Sequence, residues 1–450
     1  MKISSKLSQI LFFAAGVGGV LIPRLAWYLQ DPTPVWGGDT GTYVNFSFRN
    51  LLNLNFSHRT PVYPIIIRLC KILFRDRYLD AVVLLQIAIA IFSVWLFYLT
   101  IKRITNRSII SLLIAVAYGN AMGIMRWDKY ILTESFSISL SMTWLYLTVR
   151  YIYKPKSVLA LSIVVLTFIM TFLRPAFLVW NICVLAFFLL RFYIKREERR
   201  FLGPAIRASC AVFLCIGAYC TAYQSQNGVF NVTNLAPRHL MSDLLISGLY
   251  KSNPDKEMVN EIESIYLLNK SEGIYSITWK VWEVFGENTY DRNVNLYRFD
   301  KECIRHDIKG FIKYTCKKIL VNSRWKFYGG WENIHYRWPT IEWILWPAKN
   351  IFNFMYGVHL WAIGGIEALI TLAFILKNKK IPWIHFGISI MLLLNLFFTY
   401  IATYDEFIRC SVFVFPFAYC SIALLVNKLY SSISPLLTKR ITEPVNRNTK

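Results

Sequence analysis

Apolar stretches long enough to cross a bilayer recur along this chain, and short basic stretches separate many of them. The windows fall at about 8–28, 81–101, 108–125, 131–149, 157–173, 175–194, 205–223, 352–376, 382–402 and 408–427, near the 17–25 residues a membrane helix requires. This pattern predicts an all-α polytopic membrane protein with about 10 (9–12) transmembrane helices. The weakest windows are those between 157 and 194, where Arg174-Pro175 interrupts a continuous apolar stretch. It reads as two short spans or as one kinked span with an extra segment. Lys2 and Lys6 precede an apolar run from Leu7 to Tyr28, as in a signal peptide, but no small-x-small cleavage site follows. The run therefore reads as a retained first span.

Charge placement tests the count. With a cytoplasmic N-terminus and ten spans, the cytoplasmic segments hold Lys2 and Lys6, then Lys102, Arg103 and Arg107, then Arg150, Lys154 and Lys156. Next come Arg191, Lys195, Arg196, Arg199, Arg200 and Arg207, then Lys377, Lys379 and Lys380, then a tail with Lys428, Lys439, Arg440, Arg447 and Lys450. Only Glu197, Glu198 and Glu443 dilute them, so every inside segment is cationic and the positive-inside rule holds. Merging 157–194 into one span would put the later basic loops outside, which argues for Arg174 at an outer turn. The expected organisation is an N-terminal transmembrane module (1–223) with an outer loop at about 29–80. A mostly helical outer-face domain (224–351) follows, then C-terminal helices with a basic tail (352–450). Both termini are then expected in the cytoplasm and the two large segments on the outer face of the membrane.

Composition agrees with the pattern: 55% of residues are hydrophobic and 17% charged, too little polar surface for a soluble chain of this length. The net charge of +24 is largely that of the short loops, which argues against a nucleic-acid partner. None of the nine cysteines forms a CxxC pair. Cys303 and Cys316 fall in the outer domain, where a disulfide and two free thiols on one helix are both open readings. Trp325, Trp331, Trp338, Trp343 and Trp346 crowd the approach to the eighth span, as an interfacial belt or as a platform for sugar rings or a lipid.

The most informative polar stretch follows the first span: Trp36-Gly37-Gly38-Asp39-Thr40-Gly41-Thr42-Tyr43, then His58-Arg59-Thr60-Pro61-Val62-Tyr63-Pro64. An acid in a Gly-rich turn can approach a substrate without side-chain obstruction. Alone, Asp39 reads more readily as a turn or helix-cap residue than as a catalytic acid. Arg59 beside two rigid prolines is what a phosphate clamp needs.

These residues resemble the first outer loop of the GT-C type of membrane glycosyltransferases, with the bacterial relatives of protein O-mannosyltransferases and lipid A aminoarabinose transferases the nearest group. Looser matches follow in the same order: Thr133-Glu134-Ser135, Arg174-Pro175, and Glu406 to Arg409 with Pro416. Residues 224–351 match nothing in that family. The resemblance implies transfer of a sugar from a polyprenyl-phosphate carrier to a hydroxyl of a lipid A, O-antigen, other glycan or protein acceptor. It implies Asp39 as general base, and Arg59, Arg174 and Arg409 on the donor phosphate. Tyr43, His58, Tyr63, Glu134 and Glu406 are the further expected substrate contacts. No cofactor is implied firmly, and a divalent cation on Asp39, His58 and Glu134 stays open.

Each residue has a plainer reading. Glu134 could cap a helix, although a carboxylate in an apolar run costs about 2.5–3.5 kcal/mol at mid-span. Arg174 could snorkel to headgroups, and Glu406 could pair locally with Arg409 one helical turn away. The rival functions are a lipid-linked-sugar flippase or transporter, an O-antigen ligase or polymerase, and a non-catalytic scaffold. A transporter would gather its charges at mid-depth and often on internal repeats, and no repeat is visible.

Overall fold

Most of each apolar window is helical. The computed structural model describes residues 5–52, 57–322, 337, 339–355, 358–402 and 407–442. The first half of the chain forms α1 (Ser5–Gln30), α2 (Thr40–Val44), α3 (Phe48–Leu52), α4 (Val62–Phe74), α5 (Tyr78–Thr105), α6 (Ser108–Gly119), α7 (Met122–Met125), α8 (Glu134–Tyr153), α9 (Ser157–Leu173), α10 (Leu178–Ile194) and α11 (Arg199–Asn227). Next come α12 (Leu235–Ser247), α13 (Lys256–Leu268), α14 (Ile274–Glu283), α15 (Thr289–His306) and α16 (Ile308–Asn322). The chain closes with α17 (Pro339–Met355), α18 (Val358–Asn378), α19 (Trp383–Ala402), α20 (Phe407–Ser411) and α21 (Phe415–Thr442). Among the described residues there is no strand, only an isolated parallel bridge between Val35 and Tyr130.

Of the ten spans expected, six stretches among the described residues have both the length and the apolar composition to cross a membrane. They are Val62–Thr105, Pro175–Ile194, Arg196–Asn227, His359–Asn378, Trp383–Ile401 and Arg409–Ser432. A seventh is bent, Ser108–Gly119 meeting Met122–Asp128 at 55°. Ser157–Leu173 is apolar but short. The window at 131–149 forms α8, whose composition is diluted by hydroxyls: Ser137, Ser141 and Thr143 each bond a carbonyl one turn back. That back-bonding lets a serine-rich helix sit inside an apolar bundle, where Ser135, Ser137, Ser139 and Ser141 are all buried.

The segment between the first two windows, expected as a loop, contains a 13-residue apolar helix, α4. Tyr63, Pro64, Ile67 and Cys70 form its buried face, while Ile65, Leu69, Ile72 and Leu73 are exposed. A window long enough for a full span passes over such a short helix.

One continuous apolar core runs through the bundle, with Tyr63, Phe97, Tyr118, Trp144, Trp180, Leu392 and Phe413 inside it. A second core lies within α12–α15, built on Met241, Leu244, Ile262, Val281, Leu296 and Phe299, with Phe311 of α16 against it. Cys303 of α15 is buried in this core and Cys316 of α16 is exposed; both are free, so the disulfide reading falls, and the thiols lie on two helices rather than one. α17 belongs to the bundle rather than to the second core. Its Leu345 packs with Met122 and Met125, and Phe352 stacks on Phe415 at 4.4 Å. Trp343 and Trp346 on this helix are exposed, while Trp325, Trp331 and Trp338 lie outside the described residues.

Candidate active site at the helix ends

The site is assembled from helix termini. α9 stops at Leu173 because Pro175 disfavours helical backbone at Arg174, which is extended (φ −151°, ψ 122°). Glu134 is the first residue of α8, and Arg409 lies in the short α20. Asp39 stands at the N-cap position of α2, yet its side chain makes no capping bond. The cap reading of Asp39 therefore fails, and the carboxylate is turned to other partners.

Local pairing fixes the Asp39 loop. Val35 N–H donates to Lys129 O (2.9 Å), and Ile131 N–H donates to Val35 O (3.1 Å), which docks the loop after α1 onto the loop before α8. Thr40 Oγ1 donates to Ile131 O (3.1 Å), and the Lys129 ammonium reaches the Asp31 carboxylate (2.9 Å). A Cβ on Gly37 would stand 2.8 Å from Leu132 Cδ1 and make that buried side chain shift, whereas one on Gly38 or Gly41 would meet nothing.

Two carboxylates and three guanidinium groups meet at this point. Arg59 pairs through Nη2 with Asp39 Oδ1, and Arg409 Nη2 reaches Asp39 Oδ2 at 2.7 Å. Arg409 also pairs through Nε with Glu134 Oε1, and Arg174 Nη1 lies 3.1 Å from the same oxygen. Glu134 is wholly buried, while the Asp39 side chain keeps 26% of its surface exposed. A buried carboxylate is tolerable only with such partners, since an unpaired one costs several kcal/mol. Burial pushes the Asp39 carboxyl up, but the Arg59 and Arg409 guanidinium groups outweigh it and hold it below the usual carboxylate range.

Arg59 is held along its own loop. Its Nε donates to Thr42 Oγ1 (2.8 Å), Nη1 reaches the Tyr43 hydroxyl (3.5 Å), and its guanidinium lies 4.8 Å over the Tyr43 ring. Tyr63, expected among the substrate contacts, is instead fully buried: its hydroxyl donates to Gln86 Oε1 (2.9 Å), and its ring packs edge-on against Tyr43. It supports the site rather than lining it. The His58 carbonyl accepts from Thr233 Oγ1 (2.9 Å), in the loop before α12. Burial, then repulsion from Arg59 and Arg238, pushes its imidazole down to about 4, so it is neutral near pH 7. Among the described residues no three His, Cys, Asp or Glu side chains form a metal-holding group, so Asp39, His58 and Glu134 are not arranged as one. Glu406, and with it the local pairing to Arg409, lies outside the described residues.

Several neighbours went unnoticed in the sequence. Arg24 Nε pairs with Asp128 Oδ2 at 2.8 Å, both buried, and Ser135 Oγ donates to Asp128 Oδ1 at 2.6 Å. Gln86 Nε2 donates to the carbonyls of Asp128 (2.9 Å) and Tyr130 (3.0 Å), tying the loop before α8 to α5. The available signals were a lone arginine inside the first apolar window and the charged run Arg126 to Lys129 between two others. Arg238 and His239 of α12 and Cys410, whose sulfur accepts from Arg174 (3.3 Å), complete the surroundings. Nothing in the sequence marked these three.

Chemically, a partly open carboxylate paired with two guanidinium groups, with a third on the adjoining Glu134, can take a proton beside a bound anion. No family model matches this chain, and no curated protein matches it.

Proposed function

We propose that this protein is a membrane glycosyltransferase that moves a sugar from a polyprenyl-phosphate carrier to a hydroxyl of a cell-envelope acceptor. The observation that carries the reading is the convergence of Asp39 with Arg59, Arg174 and Arg409, drawn from three separate segments of the chain. The resemblance in sequence to GT-C enzymes supports it, because it singled out these same residues.

In this reading the acceptor hydroxyl gives its proton to Asp39 while its oxygen bonds to the anomeric carbon. The bond from that carbon to the phosphate oxygen breaks, and its electron pair leaves with the polyprenyl phosphate. One displacement inverts the anomeric centre. General-base help of this kind contributes typically 10²–10⁴-fold. The guanidinium groups stabilise the second charge that develops on the phosphate.

An apolar cavity of about 260 Å³ lies among α8, α10, α19 and α21, lined by Trp144, Phe187, Trp383, Met391 and Phe417 among others. No site residue lines it. It begins ten residues along α8 from Glu134, which is about 15 Å of helix. A prenyl chain leaving a phosphate at the site has an apolar destination within its reach. On the ten-span reading of the sequence, with its basic cytoplasmic segments, the site would face the periplasm from the inner membrane.

The test is transfer by purified protein from a panel of polyprenyl-phosphate sugars to acceptors in a membrane extract. Wild type transfers one of them, and Asp39→Asn is inserted normally but inactive. Full activity of Asp39→Asn would sink the role given to Asp39.

A transport reading has one specific observation in its favour. Glu367, midway along α18 and buried, lies 2.6 Å from His385 Nδ1 and accepts from Ser421. Ionisable pairs within spans often mark ion or substrate paths. Against it, the larger charge cluster sits at helix ends.

A further inference from the structure

We propose that the donor phosphate and Asp39 compete for Arg409, so that donor binding releases the general base and the donor binds first. This rests on the glycosyltransferase reading above.

Both Asp39 oxygens are engaged by guanidinium groups, Oδ1 by Arg59 and Oδ2 by Arg409 at 2.7 Å. In that arrangement Asp39 is a poor base, because the two cations hold its carboxyl below the usual range and general bases work best near the ambient pH. A bound phosphate must take N–H donors from this same cluster.

The two arginines reach Asp39 from different parts of the chain. Arg59 is fixed by Thr42, by the Tyr43 hydroxyl and by the Tyr43 ring, all close to Asp39 in the same loop. Arg409 comes from α20 and spans two carboxylates of different segments, Nε on Glu134 and Nη2 on Asp39. It can swing its Nη end from Asp39 to a phosphate while Nε stays on Glu134. Arg174, on the same Glu134 oxygen, holds that pivot from the other side. The arriving phosphate then acts twice on Asp39: it removes a stabilising cation and adds a nearby anion, and both strengthen the base. An acceptor arriving first would meet a carboxylate still bound to arginine.

The experiment measures binding of farnesyl phosphate, with farnesol as control, to detergent-purified full-length protein and to Asp39→Asn. Competition predicts that Asp39→Asn binds farnesyl phosphate about tenfold more tightly than wild type, the gain from deleting a rival anion worth roughly 1.4 kcal/mol. Equal or weaker binding by Asp39→Asn overturns the competition. If wild type does not distinguish farnesyl phosphate from farnesol, the phosphate-donor reading fails instead. Should the variant not fold, a carboxyl-directed reagent read by mass spectrometry puts the question to wild type. Asp39 should label faster with farnesyl phosphate present. Unchanged or slower labelling, as simple occlusion would give, overturns the proposal.

Discussion

Arg409 and Asp39 are 370 positions apart in the chain, and Arg409 Nη2 stands 2.7 Å from Asp39 Oδ2. The pair joins the first loop of the bundle to its last broken helix. Glu134 and Arg174 join the same cluster from between them in sequence, so the site depends on the relative placement of α8, α9 and α20.

Glu134 is expected to act by holding Arg174 and Arg409 in place. Glu134→Gln keeps the shape but loses the charge that orients both cations. In steady-state transfer assays its donor KM should rise at least about tenfold, the loss of one charge-assisted contact, with a smaller change in kcat. An unchanged KM would remove Glu134 from this role.

The Arg24–Asp128 pair should be structural. Asp128→Asn leaves Arg24 buried without its counter-charge, at a cost of about 3–5 kcal/mol. Replacing both partners with apolar residues should cost much less. Thermal unfolding in detergent across the double-mutant cycle measures the difference; equal losses in single and double variants would contradict pairing.

His58 and His239 give stability a defined pH dependence. Each ring is pushed down to about 4, chiefly by burial, from an ordinary value of 6.5. The unfolded chain therefore takes up protons first as pH falls, and stability should drop between about 6.5 and 4. A lowering of this size is worth on the order of 3 kcal/mol per ring as an upper limit. Replacing both with Asn or Gln should flatten the melting temperature over that window, and an unaltered slope would count against it.

Glu367 separates the two functional readings. In a transferase, Glu367→Gln should leave sugar transfer within about twofold, since the pair with His385 lies outside the arginine cluster. In a transporter the same change should abolish movement of a lipid-linked sugar across vesicles. Loss of that movement in Glu367→Gln with a normal melting temperature would favour the second reading.

Much of the site could be read in the sequence because membrane burial makes charge conspicuous. Glu134, Arg174 and Arg409 each stood at the edge of an apolar window, where an ionisable group is costly without a purpose, while Asp39 and Arg59 were marked by the Gly-rich turn and the paired prolines of the loop after the first span. Arg24 and Asp128 carried the same kind of signal and were passed over, because each alone resembles an ordinary interfacial charge. α4 was missed for a different reason: a thirteen-residue helix is too short for a spanning window.

By itself, then, the sequence determined the helical class, the approximate places where helices break, and which charged residues had to find partners. Apolar windows and Pro or Gly breaks are local properties of the chain. Only the tertiary structure decided which partners those were: that Asp39 takes two arginines, that Glu134 is their shared anchor, and that Tyr63 faces Gln86 rather than a substrate. Ion pairing acts over a few ångströms with no regard to sequence distance. It is therefore settled by how the helices pack.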